Sequence, residues 1–334
     1  MVSRQRRTHV VLVLVAVLVL IATVVAACSA QASETSSGSA DDASAGAPSS
    51  LTDGSQAGSG PGTAKGGDAD WNRVLGALAY MRAEKPTEHV VVLLGGSAAR
   101  ESTIDDGAWR DQIQAKGGPQ TLAWNMGSRN RTMAQNLAIV KKLPKVPTLI
   151  YVGINLGSFT STQRSATITL PTPAPSAGGI SLKQPHQYSM GKIMTTAQKK
   201  AALQVWLSKR YPVYKKNFSR NATLLEQLIT YCRGVKDENG KRLFRPVLFE
   251  LPRNTQVIGS SLNAPAKKYR DKCAALHTKY DVPWVSFVSS ARIPNKSFYD
   301  LWHLVEPGRK VWQDKLSGKT VSLLKAYGFD GGGS

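Results

Sequence analysis

Cysteine and histidine are scarce in this chain of 334 residues: three of the first and five of the second. They form no ligand cluster at metal-binding spacing, so the sequence points to no metal and no organic cofactor. Acidic residues are also few, 22 against 43 Lys and Arg, which leaves a net charge of +21. Nothing divides the chain into two lobes, which argues against a solute-binding protein. Aromatic residues are missing altogether from residues 29–68, where Ser, Ala and Gly dominate. Such a segment buries too little apolar surface to offset its ordering entropy. It reads as a flexible tether, with a root-mean-square reach of roughly 35 Å.

Before the tether, Arg4, Arg6 and Arg7 precede an apolar run from Val10 to Ala27 that ends Val25-Ala26-Ala27-Cys28. A positive leader, an apolar stretch and small residues before a cut describe a secretory signal over residues 1–27. The cysteine that follows resembles a bacterial lipobox, which would make Cys28 the lipidated first residue of a mature chain. A retained membrane helix is the alternative, since about 18 apolar residues nearly span a bilayer. Both readings place the remainder outside the cytoplasm, held at a membrane. Export argues against nucleic acid as the partner of the basic domain. Phospholipid headgroups and anionic wall polymers remain, and the charge would steer the domain towards them; solubility alone is the plainer account.

Residues 69–330 read as one α/β domain, a length that suits a single fold with an insertion. Buried-strand patterns at His89–Leu94, Thr121–Trp124, Thr148–Val152, Arg245–Leu251 and Val282–Val288 alternate with helical periodicity. That alternation predicts a parallel sheet of five strands covered on both faces. Residues 156–195 break the pattern, with Pro171, Pro173 and Pro175 among Ser, Thr and Gly. A segment of this length without periodicity is either a functional flap over the site or a mobile insertion. Cys232 and Cys273 fall in separate amphipathic stretches, where they are either bridged or buried as two thiols.

Four short blocks carry chemistry: Gly95-Gly96-Ser97, Asn125-Met126-Gly127, Gly153-Ile154-Asn155 and Asp300-Leu301-Trp302-His303. The first three follow predicted strands, so they emerge at the carboxyl edge of the sheet, where open α/β folds bind ligands. Ser97 needs a base. His9 leaves with the signal, His89 starts a strand on the opposite edge, and His277 sits in a helix. His186, in the insertion, and His303 remain. His303 is favoured because Asp300, three residues earlier, can orient its ring. An oxyanion needs preorganised donors, and a bare N–H at Gly127 and the Asn155 side-chain amide are the candidates.

Ser, Gly, Asn and His in this order, with Asp three before His, resemble the SGNH (GDSL-like) hydrolase superfamily. The resemblance implies a flavodoxin-like three-layer α/β/α fold and a serine esterase or acyltransferase. In that pattern Ser97 is the nucleophile and lends its own N–H to the oxyanion hole, which Gly127 and Asn155 complete. His303 is the base and Asp300 its partner. Gly96 stands where an acidic or amide residue usually precedes the serine, and Leu156 where an aspartate commonly follows the asparagine. Both departures occur in divergent members acting on acylated cell-surface polysaccharides. The expectation is an extracytoplasmic enzyme cleaving or transferring an acyl group, most simply acetyl, on an envelope polysaccharide or glycolipid. A non-catalytic envelope-binding lipoprotein that kept the fold is the rival.

Overall fold

A computed structural model describes residues 68–329. The expected signal, Cys28 and all but the last residue of the expected tether lie outside the described residues. No helix among the described residues is long and apolar enough to cross a membrane.

Five strands, β1 (His89–Gly95), β2 (Thr121–Gly127), β3 (Thr148–Ile154), β4 (Phe244–Glu250) and β5 (Trp284–Ser286), form one sheet in the order β2-β1-β3-β4-β5. Every pairing is parallel. β3 is buried at all seven positions, as a strand covered on both faces must be. Alternation along β1 assigns its side chains to two cores. Val90, Val92 and Leu94 join a cluster with Leu78 of α1 (Ala69–Glu84), Leu137 of α4 (Met133–Val140), Leu225 of α6 (Tyr211–Gly234) and Tyr269 of α8 (Asn263–Tyr280). Val91 and Leu93 face the other way, against Trp109 of α3 (Asp106–Ala115) and Trp312 of α9 (Glu306–Ala326). Each such side chain, fully withdrawn from water, contributes about 1.5–3 kcal/mol. The result is three layers, α/β/α, with flavodoxin-like strand order.

Local signals set the helix ends. The Asp105 carboxylate caps α3 through Ala108 N–H at 2.7 Å. Thr132 with Gln135 makes a capping box at α4, and Thr195 with Gln198 makes another at α5 (Thr196–Val205). α5 runs through a π turn at Trp206–Arg210 straight into α6, so the two helices that periodicity predicts, over Thr196–Ser208 and Ala222–Arg233, are one continuous element. Pro212 has no N–H to give to the turn before it, and it comes just after the π turn, where the regular α-helical ladder is already interrupted.

Residues 156–195 contain only short 3₁₀ turns, yet they are fastened to the domain. Arg73 Nε donates to Ser181 O at 2.8 Å, Asp106 N–H to Leu182 O at 2.9 Å, and Gln184 Nε2 to Asp106 Oδ1 at 3.0 Å. Ile168 and Ile180 join the core. The segment lacks periodicity because anchoring polar groups and single apolar side chains, rather than a repeating face, hold it. The disulfide considered for Cys232 and Cys273 does not form. Both are free thiols, fully buried in the apolar core from α6 and α8. Burial pushes both thiols far above the usual range, which keeps them neutral.

Candidate active site

The switch point of this strand order lies between β1 and β3, where neighbouring connections leave in opposite directions. Leu94 pairs with Val152 in the register of these strands. Ser97 and Asn155 each follow three residues later, so they emerge side by side at the carboxyl edge. Ser97 opens a short helix, α2 (Ser97–Arg100), and two glycines let that helix fold back on the sheet. A Cβ on Gly95 would stand 2.7 Å from Ala99 Cβ, and one on Gly127 would stand 2.2 Å from the Arg100 nitrogen. As the first residue of a helix, Ser97 has an N–H with no carbonyl in the preceding turn to take it.

His303 Nε2 lies 2.8 Å from Ser97 Oγ, and His303 Nδ1 lies 2.7 Å from Asp300 Oδ2. The other oxygen of Asp300 accepts the N–H groups of Trp302 and His303 at 2.8 and 2.9 Å. One carboxylate therefore folds the turn and orients the ring. Burial opposes a charged imidazole, but the Asp300 charge and hydrogen bond, with Glu101 behind them, raise His303 above its ordinary value. For Asp300, burial works against ionisation, yet His303 and the three hydrogen bonds hold its pKa below the ordinary carboxylate value.

Asn155 is fixed by its own cap. Its Oδ1 accepts from Ser158 N–H at 3.1 Å and from Ser158 Oγ at 3.3 Å. With Oδ1 engaged by the cap, the amide nitrogen is the end of the side chain left outside it. Gly127 differs from expectation. β2 runs three residues beyond the expected strand, so Gly127 is its last residue and pairs with Gly95, two short of Ser97. Its N–H is not bare: it donates to Asn125 Oδ1 at 2.9 Å. In this structure Gly127 seats α2 against the sheet rather than presenting a donor.

The other described histidines stand elsewhere. His89 stacks on Phe329, and His277 Nδ1 meets Val282 O at 2.7 Å. His186 Nδ1 lies 3.3 Å from Asp70, not at Ser97. Donor atoms of Asp68, Asp70 and His186 fall within 4.8 Å of one another, though Arg100 already neutralises Asp70 at 2.5 Å.

Several supporting residues were invisible to motif reasoning. Glu101 is wholly buried beneath the site, bonded to Arg100 at 2.8 Å and to Arg309 at 2.7 Å. Burial pushes its carboxyl pKa up, against the pull of Arg100, His303 and Arg309. Tyr188, from the 156–195 segment, brings its ring centroid to 5.0 Å from that of His303. Lys199, at the start of α5, donates to Asn295 O, Asn295 Oδ1 and Phe298 O at 2.7–2.9 Å. Asn254 N–H donates to Leu301 O at 2.9 Å. Together they fasten the loop that carries Asp300 and His303. No spacing in the sequence links these residues to that loop; only the fold does.

No family model matches the chain, and no curated protein matches it. Solved structures do. A candidate arylesterase from Agrobacterium tumefaciens is similar over 71% of this chain and 100% of its own, at 10% identity and a TM-score of 0.42. A protein from Lactobacillus plantarum is similar over 72% of this chain and 98% of its own, at 14% identity and a TM-score of 0.38. A gut microbial diltiazem-metabolizing enzyme is similar over 73% of this chain and 48% of its own, at 12% identity and a TM-score of 0.36.

Proposed function

We propose that this protein is an extracytoplasmic, membrane-tethered serine esterase or acyltransferase working through an acyl-enzyme on Ser97. The observation that carries this reading is the unbroken line from Ser97 Oγ through His303 to Asp300. Ser97 Oγ attacks the ester carbonyl while its proton passes to His303 Nε2. The alcohol then leaves as its C–O bond breaks, and takes that proton. Water or a second alcohol enters by the reverse sequence, giving hydrolysis or transfer. In this reading the Ser97 N–H and the Asn155 amide serve as the oxyanion donors. The Gly127 N–H joins them only by giving up Asn125.

The substrate class we assign is an O-acylated, most simply O-acetylated, glycan or glycolipid of the cell envelope. The signal-like, lipobox-like amino-terminal sequence and the two departures at Gly96 and Leu156 from the commoner SGNH-like pattern support that choice.

A fluorophosphonate probe tests the chemistry. It should add its mass to Ser97 in the unaltered protein and leave Ser97→Ala unlabelled, with ester turnover reduced at least about 10³-fold. Equal labelling of both, or of neither, would leave the non-catalytic envelope-binding reading standing.

A further inference from the structure

Between Asp111 and Glu226 the chain contains no Asp or Glu, but sixteen Lys and Arg. A stretch so long and so one-sided in charge is not needed for folding, since elsewhere the molecule mixes both signs. Its densest part is the continuous helix formed by α5, the π turn and α6. The buried side of that helix carries Leu203, Trp206, Tyr214 and Phe218. Its exposed part presents Lys200, Lys209, Lys215 and Lys216, and none of the four makes an ion pair among the described residues. Lys200 and Lys216 are separated by sixteen residues, roughly 24 Å along the axis. The four lysines spread positive charge along the exposed part of the helix.

Exposed apolar side chains occur in this helix and in the turn shortly before it. Val205, on the same helix, is 39% exposed, and Met190, four residues before the capping Met194-Thr195 turn, is 50% exposed. Elsewhere among the described residues Leu182 and Val311 are the large hydrophobics exposed to a similar degree. An exposed apolar residue among exposed lysines on one helix suits the boundary of a bilayer. There the charge meets headgroups and the apolar groups enter the acyl region. A soluble polyanion would use the lysines and gain nothing from Val205 or Met190.

The helix also runs beside the candidate active site. Trp206 lies with its ring centroid 6.4 Å from that of Trp302, the neighbour of His303 in sequence, and Lys199 fastens the same loop.

We infer that the exposed basic side of residues 196–220 is a docking surface for an anionic phospholipid bilayer. It would hold the Ser97 edge of the domain close to the membrane plane, where an acyl donor or acceptor carried by lipid would be met. The surface is independent of the chemistry at Ser97, so failure of one does not decide the other.

The full chain, reconstituted on vesicles, gives the test. Lysine acetylation kinetics would be read by mass spectrometry on vesicles of phosphatidylcholine alone and of phosphatidylcholine with one third phosphatidylglycerol. Lys200, Lys209, Lys215 and Lys216 should be labelled several-fold more slowly on the anionic vesicles. Lys310 and Lys325, on α9 in the opposite layer, should be labelled equally on both. The protection should weaken about fivefold for each Lys→Gln change among the four, a loss of about 1 kcal/mol per charge. Turnover of a soluble ester should not change. Equal labelling of the four lysines on both vesicles would overturn the inference. So would protection by soluble polyphosphate with none by the anionic vesicles, which would identify a wall-type polymer as the partner instead.

Discussion

His303 Nε2 and Ser97 Oγ stand 2.8 Å apart, although 206 residues separate them in the chain. Ser97 ends a strand-to-helix turn at the centre of the sheet, and His303 belongs to a loop entered after β5. That contact needs both the parallel sheet, which brings Ser97 to its carboxyl edge, and the Lys199 and Asn254 hydrogen bonds that set the later loop.

The pH profile follows from the charges around His303. The neutral ring is the base, and Asp300 and Glu101 outweigh burial and raise its pKa. Activity should therefore be low in acid and rise with pH through a midpoint above about 6.5. Asp300→Asn removes the largest raising influence, so the midpoint should fall. The rate at the plateau should drop by about 10⁴-fold, while slow probe labelling of Ser97 persists. Steady-state kinetics across pH on both proteins decide this. A midpoint that does not move would show that Asp300 does not act on the catalytic base.

Asn155→Ala removes the amide nitrogen that the Ser158 cap leaves outside it. Loss of one oxyanion donor typically costs a factor of about 10²–10³ in kcat. KM should change little, because the interaction forms in the transition state. A change confined to KM would mean that Asn155 binds the ground state instead.

Gly127→Ala should act through the fold. A Cβ there meets the Arg100 backbone at 2.2 Å, and backbone cannot yield as a flexible side chain does. Denaturant unfolding should show a loss of at least about 1–3 kcal/mol. A variant of unchanged stability with reduced kcat would restore Gly127 as an oxyanion donor and contradict the packing role assigned to it.

Lys199→Met would leave the oxygens of Asn295 and Phe298 without their buried donor. The expected loss of stability is about 1–3 kcal/mol. Because that loop positions Asp300 and His303, kcat should fall more than KM rises, and Lys199→Arg should recover part of the rate. Equal rates in all three proteins would show that the loop holds its shape without the ammonium.

Anchoring is tested at Cys28. Cys28→Ser should release the protein into detergent-free solution or leave an unprocessed precursor. Intact-mass measurement of the mature protein should find acyl chains on the unaltered cysteine. A mature mass with no acyl chains would point to a retained or conventionally cleaved signal.

Much of this was legible along the chain, because its determinants are local. β-branched runs ending in glycine mark buried strands, and Asp105, Thr132 and Thr195 mark helix starts through bonds to backbone three residues away. Asp300 and His303 could be paired on paper because three residues span one turn. Where the sequence misled, competition at longer range decided the outcome. β2 was expected to stop at Trp124, yet pairing with β1 carries it to Gly127, whose N–H goes to Asn125. The helix expected to break after Ser208 continues, because Trp206, Tyr214 and Phe218 bury one unbroken face.

By itself the sequence determined the strand and helix pattern, the order of the four blocks and the charge of the domain, since each is a property of neighbouring residues or of composition. Only tertiary structure decided that His303 rather than His186 meets Ser97, and that Cys232 and Cys273 stay apart as thiols. It alone placed Glu101, Arg309, Lys199 and Asn254 around the site. Hydrogen bonds and ion pairs across two hundred residues depend on where the backbone returns, and that is fixed by the packing of both cores against one sheet, not by spacing along the chain.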